Sequence, residues 1–203
     1  MIAIIDYKMG NVKSMMNAIG FLGCKPCLTN NAEEILDAEK IILPGVGAFD
    51  MAMHNLKNIG LIDILNQAVF EKQIPILGVC LGMHIFASRG EENEPAEGLG
   101  WISGEVKRFS FNTGSLRIPH IGFNSIHSIK RRPNLFEGLR YHDFYFVHGY
   151  HLICEDQTDV SSWCHYGYDF AASIQKGNIF GAQFHPEKSQ SNGIIFLKNF
   201  LQL

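Results

Sequence analysis

The sequence lacks any long hydrophobic run, and it has no basic segment near its start. No apolar stretch in the 203 residues approaches the roughly 20 residues that a membrane-spanning helix requires. Residues 1–6 read Met-Ile-Ala-Ile-Ile-Asp. Without a basic residue ahead of the apolar run, they are typical of a first β-strand rather than a signal peptide. We therefore expect a protein that has no membrane partner.

The sequence also lacks an excess of one charge and an even number of cysteines. Its formal net charge is −3, which gives no reason to expect a nucleic-acid partner. Five cysteines cannot form a complete set of internal disulfides, so a reducing cytoplasm is the simpler location. Cys24 and Cys27 have the spacing of metal ligands, but no second pair follows at the distance of a zinc site, and we expect no metal.

No internal repeat, low-complexity segment or linker divides the chain. Its length suits one domain with a full core. Its content of 46% hydrophobic and 18% charged residues is usual for globular proteins. We predict a single domain over residues 1–203.

The first 90 residues alternate between short apolar segments and segments with helical spacing. This alternation predicts a parallel, doubly wound sheet. Asn31 is placed to cap one of the helices. The predicted strands are residues 2–5, 26–29, 40–43 and 74–79, and the longer predicted helices are residues 12–22, 51–56 and 62–70.

The sequence after residue 90 is richer in aromatic and alternating apolar residues, which predict short strands and hairpins. Residues 125–129 are one such strand, and residues 170–175 and 179–184 flank a turn typical of an antiparallel hairpin. A last helix is predicted over residues 193–201. The predicted fold class is α/β, an open and mostly parallel twisted sheet flanked by helices. We expect the β-rich second half to continue the same sheet.

Cys80 stands where a predicted strand meets a predicted helix. Gly78 and Gly82 flank it in the order Gly-x-Cys-x-Gly, the nucleophile-elbow pattern with cysteine in place of serine. The two glycines relieve the crowding of a sharp strand-to-helix turn. An apolar stripe predicts a helix over residues 81–86, whose N-terminus would favour the reactive thiolate. The alternative is a buried cysteine at an ordinary turn.

His185 and Glu187 follow the last predicted strand and are separated by Pro186. Residues two apart in extended backbone point to the same side, so His185 could face Cys80 while Glu187 accepts a hydrogen bond from the imidazole. Because the chain has nine histidines, a chance pairing of histidine and glutamate is the alternative.

A glycine loop, Pro-Gly-Val-Gly at residues 44–47, follows the third predicted strand. The carboxyl ends of parallel strands share one rim of the sheet, which places this loop beside Cys80. It lacks the Gly-Lys-Ser/Thr ending of a nucleotide-binding P-loop. One N–H group of the loop, together with that of Leu81, would form an oxyanion hole. A tight turn without a ligand is the alternative.

Three segments together resemble the signatures of class I (triad) glutamine amidotransferases. They are Leu-Pro-Gly-Val-Gly-Ala-Phe at residues 43–49, Gly-Val-Cys-Leu-Gly-Met at residues 78–83, and Gln-Phe-His-Pro-Glu-Lys-Ser at residues 183–189. Four further segments, at residues 4–11, 97–100, 118–120 and 145–148, are similar to the glutaminase subunits of imidazole glycerol phosphate synthases. The resemblance covers the whole chain in register.

The resemblance implies a glutaminase that needs no cofactor. Cys80 would attack the side-chain amide of glutamine and release ammonia. His185 would act as base and then acid, and Glu187 would orient it. The resulting γ-glutamyl thioester would be hydrolysed to glutamate. The N–H groups of Gly47 and Leu81 would bind the oxyanion.

The resemblance also implies a heterodimer, in which ammonia passes through a tunnel to a cyclase barrel. Glu92 would bind the ammonium group of glutamine. The remaining implied residues are Gly45, His84 and Gly149 for substrate binding, and Asn11 and Lys188 on the face toward the partner.

Three residues depart from the usual pattern of this family. His84 replaces a glutamine, Gly149 replaces a serine, and Lys8 replaces a glycine. These departures leave open a paralogous glutaminase that supplies ammonia to a sugar-nucleotide aminating partner in surface-polysaccharide biosynthesis. A related Cys-His-Glu hydrolase without a partner and a non-catalytic binding subunit are further alternatives, against which the intact signatures weigh.

Overall fold

The computed structural model describes residues 1–111, 116–128 and 133–203. Nine strands of these residues form one sheet in the order β2-β1-β3-β4-β13-β12-β11-β8-β9, and four form a second sheet in the order β10-β7-β5-β6. In chain order the strands are β1 (Ile2–Ile5), β2 (Pro26–Thr29), β3 (Lys40–Gly45), β4 (Ile76–Cys80), β5 (Ala87–Gly90), β6 (Ala96–Glu97), β7 (Ile102–Arg108), β8 (His120–Ser128), β9 (Asp143–His148), β10 (Tyr150–Cys154), β11 (Val160–Tyr166), β12 (Tyr168–Lys176) and β13 (Ile179–Ala182).

The larger sheet is parallel over β2, β1, β3, β4 and β13, and antiparallel from β13 to β9. Its first strand shows why the apolar runs of the sequence form a central sheet. Ile2 and Ile4 pack into the core on one face, whereas Ala3 and Ile5 pack into the core on the other. A parallel sheet covered on both faces requires such continuous apolar strands. The predicted fold class is confirmed.

Helices cover both faces of the larger sheet. On one face, α1 and α6 bury Met15, Ile19, Phe196 and Phe200. On the other face, the remaining helices pack together with the second sheet. None of the helices in the described ranges is long and apolar enough to cross a membrane. The helices are α1 (Val12–Phe21), α2 (Ala32–Leu36), α3 (Phe49–Asn58), α4 (Leu61–Asn66, continued by a π-helical turn over Gln67–Glu71), α5 (Leu81–His84) and α6 (Gln190–Leu201). Two single 3₁₀ turns cover Gln157–Asp159 and Pro186–Lys188.

Two expectations from the sequence are corrected. The helix predicted over residues 81–86 ends at His84, and the chain enters β5 three residues later. The apolar character of Ile85 and Phe86 reflects their complete burial in the core rather than a longer helix. The strands β5, β6, β7 and β10 do not extend the larger sheet. They form the second sheet because the inward residues of β7, Ile102 and Val106, pack into the same core as α3 and α4.

The other local predictions hold where the structure describes the residues. The Asn31 side chain accepts hydrogen bonds from the backbone N–H groups of Glu33 and Glu34 and so caps α2. The strands β12 and β13 form the predicted antiparallel hairpin. The strand predicted over residues 125–129 is confirmed as far as Ser128 within β8, and Ile129 lies outside the described residues.

Candidate active site

Cys80 lies at a strained turn between β4 and α5. Its backbone has φ 53° and ψ −109°, a conformation that costs a residue with a side chain about 1–3 kcal/mol. A Cβ atom on Gly78 would lie 2.5 Å from the backbone oxygen of Gly82, and a Cβ atom on Gly82 would clash with the backbone oxygen of Leu43. The two glycines are therefore needed for the elbow. Because α5 is a single turn, its dipole contributes less to thiolate formation than a longer helix would.

His185 and Glu187 form a buried pair just after β13. The distance from His185 Nδ1 to Glu187 Oε1 is 2.9 Å, and the two side chains are only 2% and 3% exposed. The pair arises differently from the prediction, because Pro186–Lys188 is a 3₁₀ turn rather than extended backbone. The Nε2 atom of His185 has no hydrogen-bond partner among the described residues, so this nitrogen remains available for Cys80.

The charge of His185 is set by its two neighbours. Burial alone lowers the pKa of the imidazole, but the interactions with Cys80 and Glu187 outweigh it and raise the pKa to about 10. The ring is therefore cationic at neutral pH. A cationic imidazole beside a cysteine favours the thiolate, which is the nucleophilic form. The structure thus brings Cys80, His185 and Glu187 together in an arrangement that can perform nucleophilic catalysis.

A cavity of about 290 Å³ opens over Cys80. It is large enough for a small amino-acid substrate, although it lies at the lower end of the usual range for ligand sites. The predicted site residues that line it are Gly47, Cys80, Leu81, His84, Glu92 and Gly149. Val147, His148 and Tyr150 also line it. They were not predicted as site residues, although residues 145–148 belong to a segment that carries the family resemblance.

The two predicted oxyanion donors come from adjacent strand ends. Gly47 follows β3, and Leu81 begins α5 directly after β4. Gly47 has φ +115°, a backbone conformation that L side chains rarely adopt, so glycine is required there. Gly45 pairs in register with Cys80 but does not line the cavity. A Cβ atom on Gly45 would lie 2.5 Å from Tyr7 Oη, which identifies Gly45 as a packing position under the loop.

Glu92 reaches the cavity from the acidic loop and is held by α3. Its Oε2 atom accepts a hydrogen bond of 3.2 Å from the backbone N–H of Phe49, the first residue of α3. The cap residue of this helix, Ala48, has no side-chain hydrogen bond of its own. Burial raises the pKa of Glu92, against the opposing effect of that hydrogen bond. A half-buried carboxylate of this kind can bind a cationic group.

His84 is buried in the cavity wall, where its ring contacts another side chain. Its Nε2 atom lies 2.7 Å from Gln183 Oε1, and the residue is 3% exposed. Burial lowers the pKa of His84 to about 4, so the ring is neutral at neutral pH. Gln183 in turn places its Nε2 atom 3.8 Å from Cys80 Sγ. The sequence does not indicate this contact, because the glutamine and the cysteine are 103 residues apart.

Gly149 and its neighbour His148 form the opposite wall. A Cβ atom on Gly149 would make only ordinary contacts, 3.5 Å from Ile118 Cγ2 and 3.9 Å from Pro119 Cβ, so crowding does not require glycine at this point. His148 Nδ1 donates a hydrogen bond of 2.7 Å to the backbone oxygen of Tyr150, which leaves Nε2 to accept one of 3.1 Å from His120 Nδ1. Burial lowers the pKa of His148 well below its usual value.

The residues predicted to face a partner are exposed and lie on neighbouring elements. Asn11 precedes α1, and this helix contacts the turn that ends at Lys188. Lys8 is also exposed and has φ +65°, a conformation for which the glycine usual in this family is better suited. Its ammonium group forms an ion pair of 2.9 Å with Asp6. Within the described ranges, no group of three histidine, cysteine or acidic side chains is arranged to hold a metal ion.

The chain belongs to the class-I glutamine amidotransferase family, whose model matches residues 3–203. Among solved structures, a crystal structure of a glutamine amidotransferase superposes with a TM-score of 0.75 at 18% identity, covering 99% of this chain and 97% of the other. The PurLQS structure from Thermotoga maritima superposes with a TM-score of 0.74 at 16% identity, with the same coverage. At these identities the likeness shows a shared fold.

Curated relatives are similar to the chain over its whole length. Imidazole glycerol phosphate synthase subunit HisH 1 of Campylobacter jejuni (strain RM1221) is 46% identical over 204 residues, covering all of both chains. Subunit HisH 2 of Methanococcus maripaludis is 46% identical over 205 residues, covering all of this chain and 99% of the relative. Subunit HisH 2 of Pseudomonas aeruginosa is 42% identical over 204 residues, again covering all of both chains.

Proposed function

We propose that this chain is the glutaminase subunit of an imidazole glycerol phosphate synthase. It would hydrolyse glutamine to glutamate and deliver the ammonia to a cyclase subunit in histidine biosynthesis. The full-length similarity to relatives that carry this synthase name supports the pathway. The observation that carries the activity is the geometry at Cys80, a strained elbow beside a cationic imidazole that a buried carboxylate holds.

In the proposed reaction Cys80 Sγ attacks the amide carbon of the glutamine side chain, and a carbon–sulfur bond forms. His185 transfers its proton to the leaving nitrogen, and the carbon–nitrogen bond breaks to release ammonia. Water then attacks the γ-glutamyl thioester while His185 takes a proton from it, and glutamate leaves with Cys80 restored. Glu187 keeps the imidazole oriented through both steps.

Gly47 and Leu81 would supply the N–H groups that stabilise the negative oxygen of the two tetrahedral intermediates. Their place on adjacent strand ends beside Cys80 supports this role. In reference enzymes, the loss of one such donor lowers kcat by about 10²–10³-fold.

The cavity walls suggest how glutamine would be bound. Glu92 would accept the ammonium group, because it is a half-buried carboxylate already fixed to the start of α3. Gly149 would contribute backbone groups, and His84 would form part of the wall. Gly45 would act mainly by keeping the glycine loop against the elbow. Asn11 and Lys188 would face the cyclase subunit.

The test is ammonia release from glutamine, measured first for the isolated chain and then with the cyclase subunit from the same organism added. We expect strong stimulation by that subunit and loss of activity in Cys80→Ala, with unfolding of this variant measured as a control. Activity retained in Cys80→Ala would refute the nucleophile. A reactive Cys80 without stimulation would move the proposal to a sugar-nucleotide aminating partner, which the relatives described above do not favour.

A further inference from the structure

Gln183 connects His84 to the sulfur of Cys80. Its side chain is fully buried just beyond β13, beside the strand that ends at Cys80. Its amide oxygen lies 2.7 Å from His84 Nε2, and its amide nitrogen lies 3.8 Å from Cys80 Sγ. These are the hydrogen bonds of its side chain to the described residues, so both ends of the amide are occupied by groups of the site.

The direction of these hydrogen bonds follows from the charge of His84. A neutral imidazole has one nitrogen that donates and one that accepts. Because Nε2 faces a carbonyl oxygen, it must be the nitrogen that carries the proton. The histidine therefore donates to Gln183 Oε1 and holds the amide with its NH₂ group toward the sulfur. The reversed amide would direct its oxygen at the sulfur, and two acceptors would repel each other.

We propose that Gln183 is a hydrogen-bond donor to the Cys80 thiolate and that His84 is the positioning residue that holds it in the donating orientation. The proposal rests on the proposed function in one respect, that Cys80 is the nucleophile. The His84 ring carries an N–H to the amide oxygen of Gln183, and its role does not depend on direct contact with substrate.

The thiolate then has two stabilising neighbours with different tasks. His185 supplies the positive charge and the proton that leaves with ammonia, whereas Gln183 supplies a neutral N–H that stays in place. Loss of a hydrogen bond to a charged group typically changes an equilibrium by about tenfold or more. Loss of the Gln183 donor should therefore raise the pH at which Cys80 becomes reactive by about one unit.

The test is the rate of Cys80 alkylation by iodoacetamide as a function of pH. All variants are made in the full chain with Cys24→Ser and Cys27→Ser, because these two partly exposed cysteines would also react with iodoacetamide. Gln183→Met removes the donor and nearly preserves the side-chain volume. His84→Phe removes the N–H that orients the amide, whereas His84→Gln keeps an N–H near the position of Nε2. Ser162→Ala is the control, since Ser162 is equally buried and hydrogen-bonded but lies on β11, outside the cavity.

We expect the pH midpoint of Cys80 alkylation to rise by about one pH unit in Gln183→Met and to rise in His84→Phe. It should stay near the parent value in His84→Gln and Ser162→Ala. An unchanged midpoint in Gln183→Met would overturn the proposal. A shift in Gln183→Met without one in His84→Phe would overturn the role of His84. Alkylation does not require turnover, so these outcomes are separate from a failure of the glutaminase function, which would appear as no ammonia release from the parent chain.

Discussion

Glu187 is one of the two neighbours that raise the pKa of His185, and it acts through a single hydrogen bond. The pair is almost completely buried, so the carboxylate acts with little screening by water. The chain contains a second histidine–carboxylate pair, His165 and Asp169, with a nitrogen–oxygen distance of 2.7 Å but about two thirds exposure of both side chains. The two pairs have similar nitrogen–oxygen distances and differ in burial. Comparing them therefore shows how much of the carboxylate's effect on the imidazole depends on burial.

We expect Glu187→Gln to lower ammonia release from glutamine by about a hundredfold or more, because the neutral amide no longer favours the cationic imidazole that protonates the leaving nitrogen. Asp169→Asn should leave the rate unchanged. The measurement is kcat with saturating glutamine, in the presence of the cyclase subunit. Equal rates for Glu187→Gln and the parent would show that the carboxylate is not part of the catalytic machinery.

At the scale of secondary-structure elements, the strand-to-helix turn at Cys80 holds a strained backbone conformation, which lowers the stability of the fold. The left-handed φ of this residue suits glycine, yet the position holds the proposed nucleophile. Strain of this kind is common at functional sites, where the surrounding structure enforces it. Crowding at Gly78 and Gly82 shows that the surrounding backbone leaves the turn no room to relax.

We therefore expect Cys80→Gly to be more stable than Cys80→Ala by about 1 kcal/mol, because only the glycine relieves the strain. In a regular helix, by contrast, glycine in place of alanine should lower the free energy of unfolding. Ala52→Gly in α3 should lower the free energy of unfolding by about 1 kcal/mol or more. Urea unfolding of the three variants and the parent checks both signs. A Cys80→Gly variant less stable than Cys80→Ala would show that the elbow is not strained.

Much of this element could be predicted from the sequence, because it depends on local crowding. The flanking glycines and the strand before Cys80 follow from short-range patterns. The pairing of His185 with Glu187 is predicted from extended backbone, but it arises from a 3₁₀ turn. The end of α5 at His84 could not be predicted in this way. The apolar residues after it, Ile85 and Phe86, match a helical stripe, and their burial in the core has a tertiary cause.

The contacts that complete the cavity could not be predicted either, because they join distant segments. His84 and Gln183 are 99 residues apart in the sequence, and His148 belongs to a strand whose neighbours are set by sheet order. The second sheet was missed for the same reason. Its longest strand, β7, alternates buried and more exposed residues as any half-buried strand does, so its pattern does not reveal which sheet it joins.

At the scale of the whole molecule, ionisable groups are buried with opposite effects on stability. Burial lowers the pKa of four histidines and keeps them neutral in the folded state. His185 is the reverse case, because Cys80 and Glu187 raise its pKa and keep it charged. The four neutral histidines are His84, His120, His148 and His151.

We expect the free energy of unfolding to fall as the pH is lowered from about 7 to about 4. The unfolded chain binds protons near the ordinary histidine pKa of about 6.5, whereas the buried histidines, with pKa values of about 4, do not bind them, so stability falls on acidification. Urea unfolding between pH 4 and pH 7 checks this slope.

A free energy of unfolding that stayed constant between pH 7 and pH 4 would contradict the neutral state of these four histidines in the folded chain.

The position of β13 makes the surroundings of Cys80 depend on a segment that is synthesised much later. This strand inserts between β4 and β12, and it carries Gln183 and His185 to a cysteine that was synthesised 103 residues earlier than the glutamine. During translation Cys80 therefore emerges before either group, and its contact with Gln183 forms only when β13 has entered the sheet. A chain cut before β13 would lack both groups, so in the proposed function its sulfur would not be activated toward glutamine.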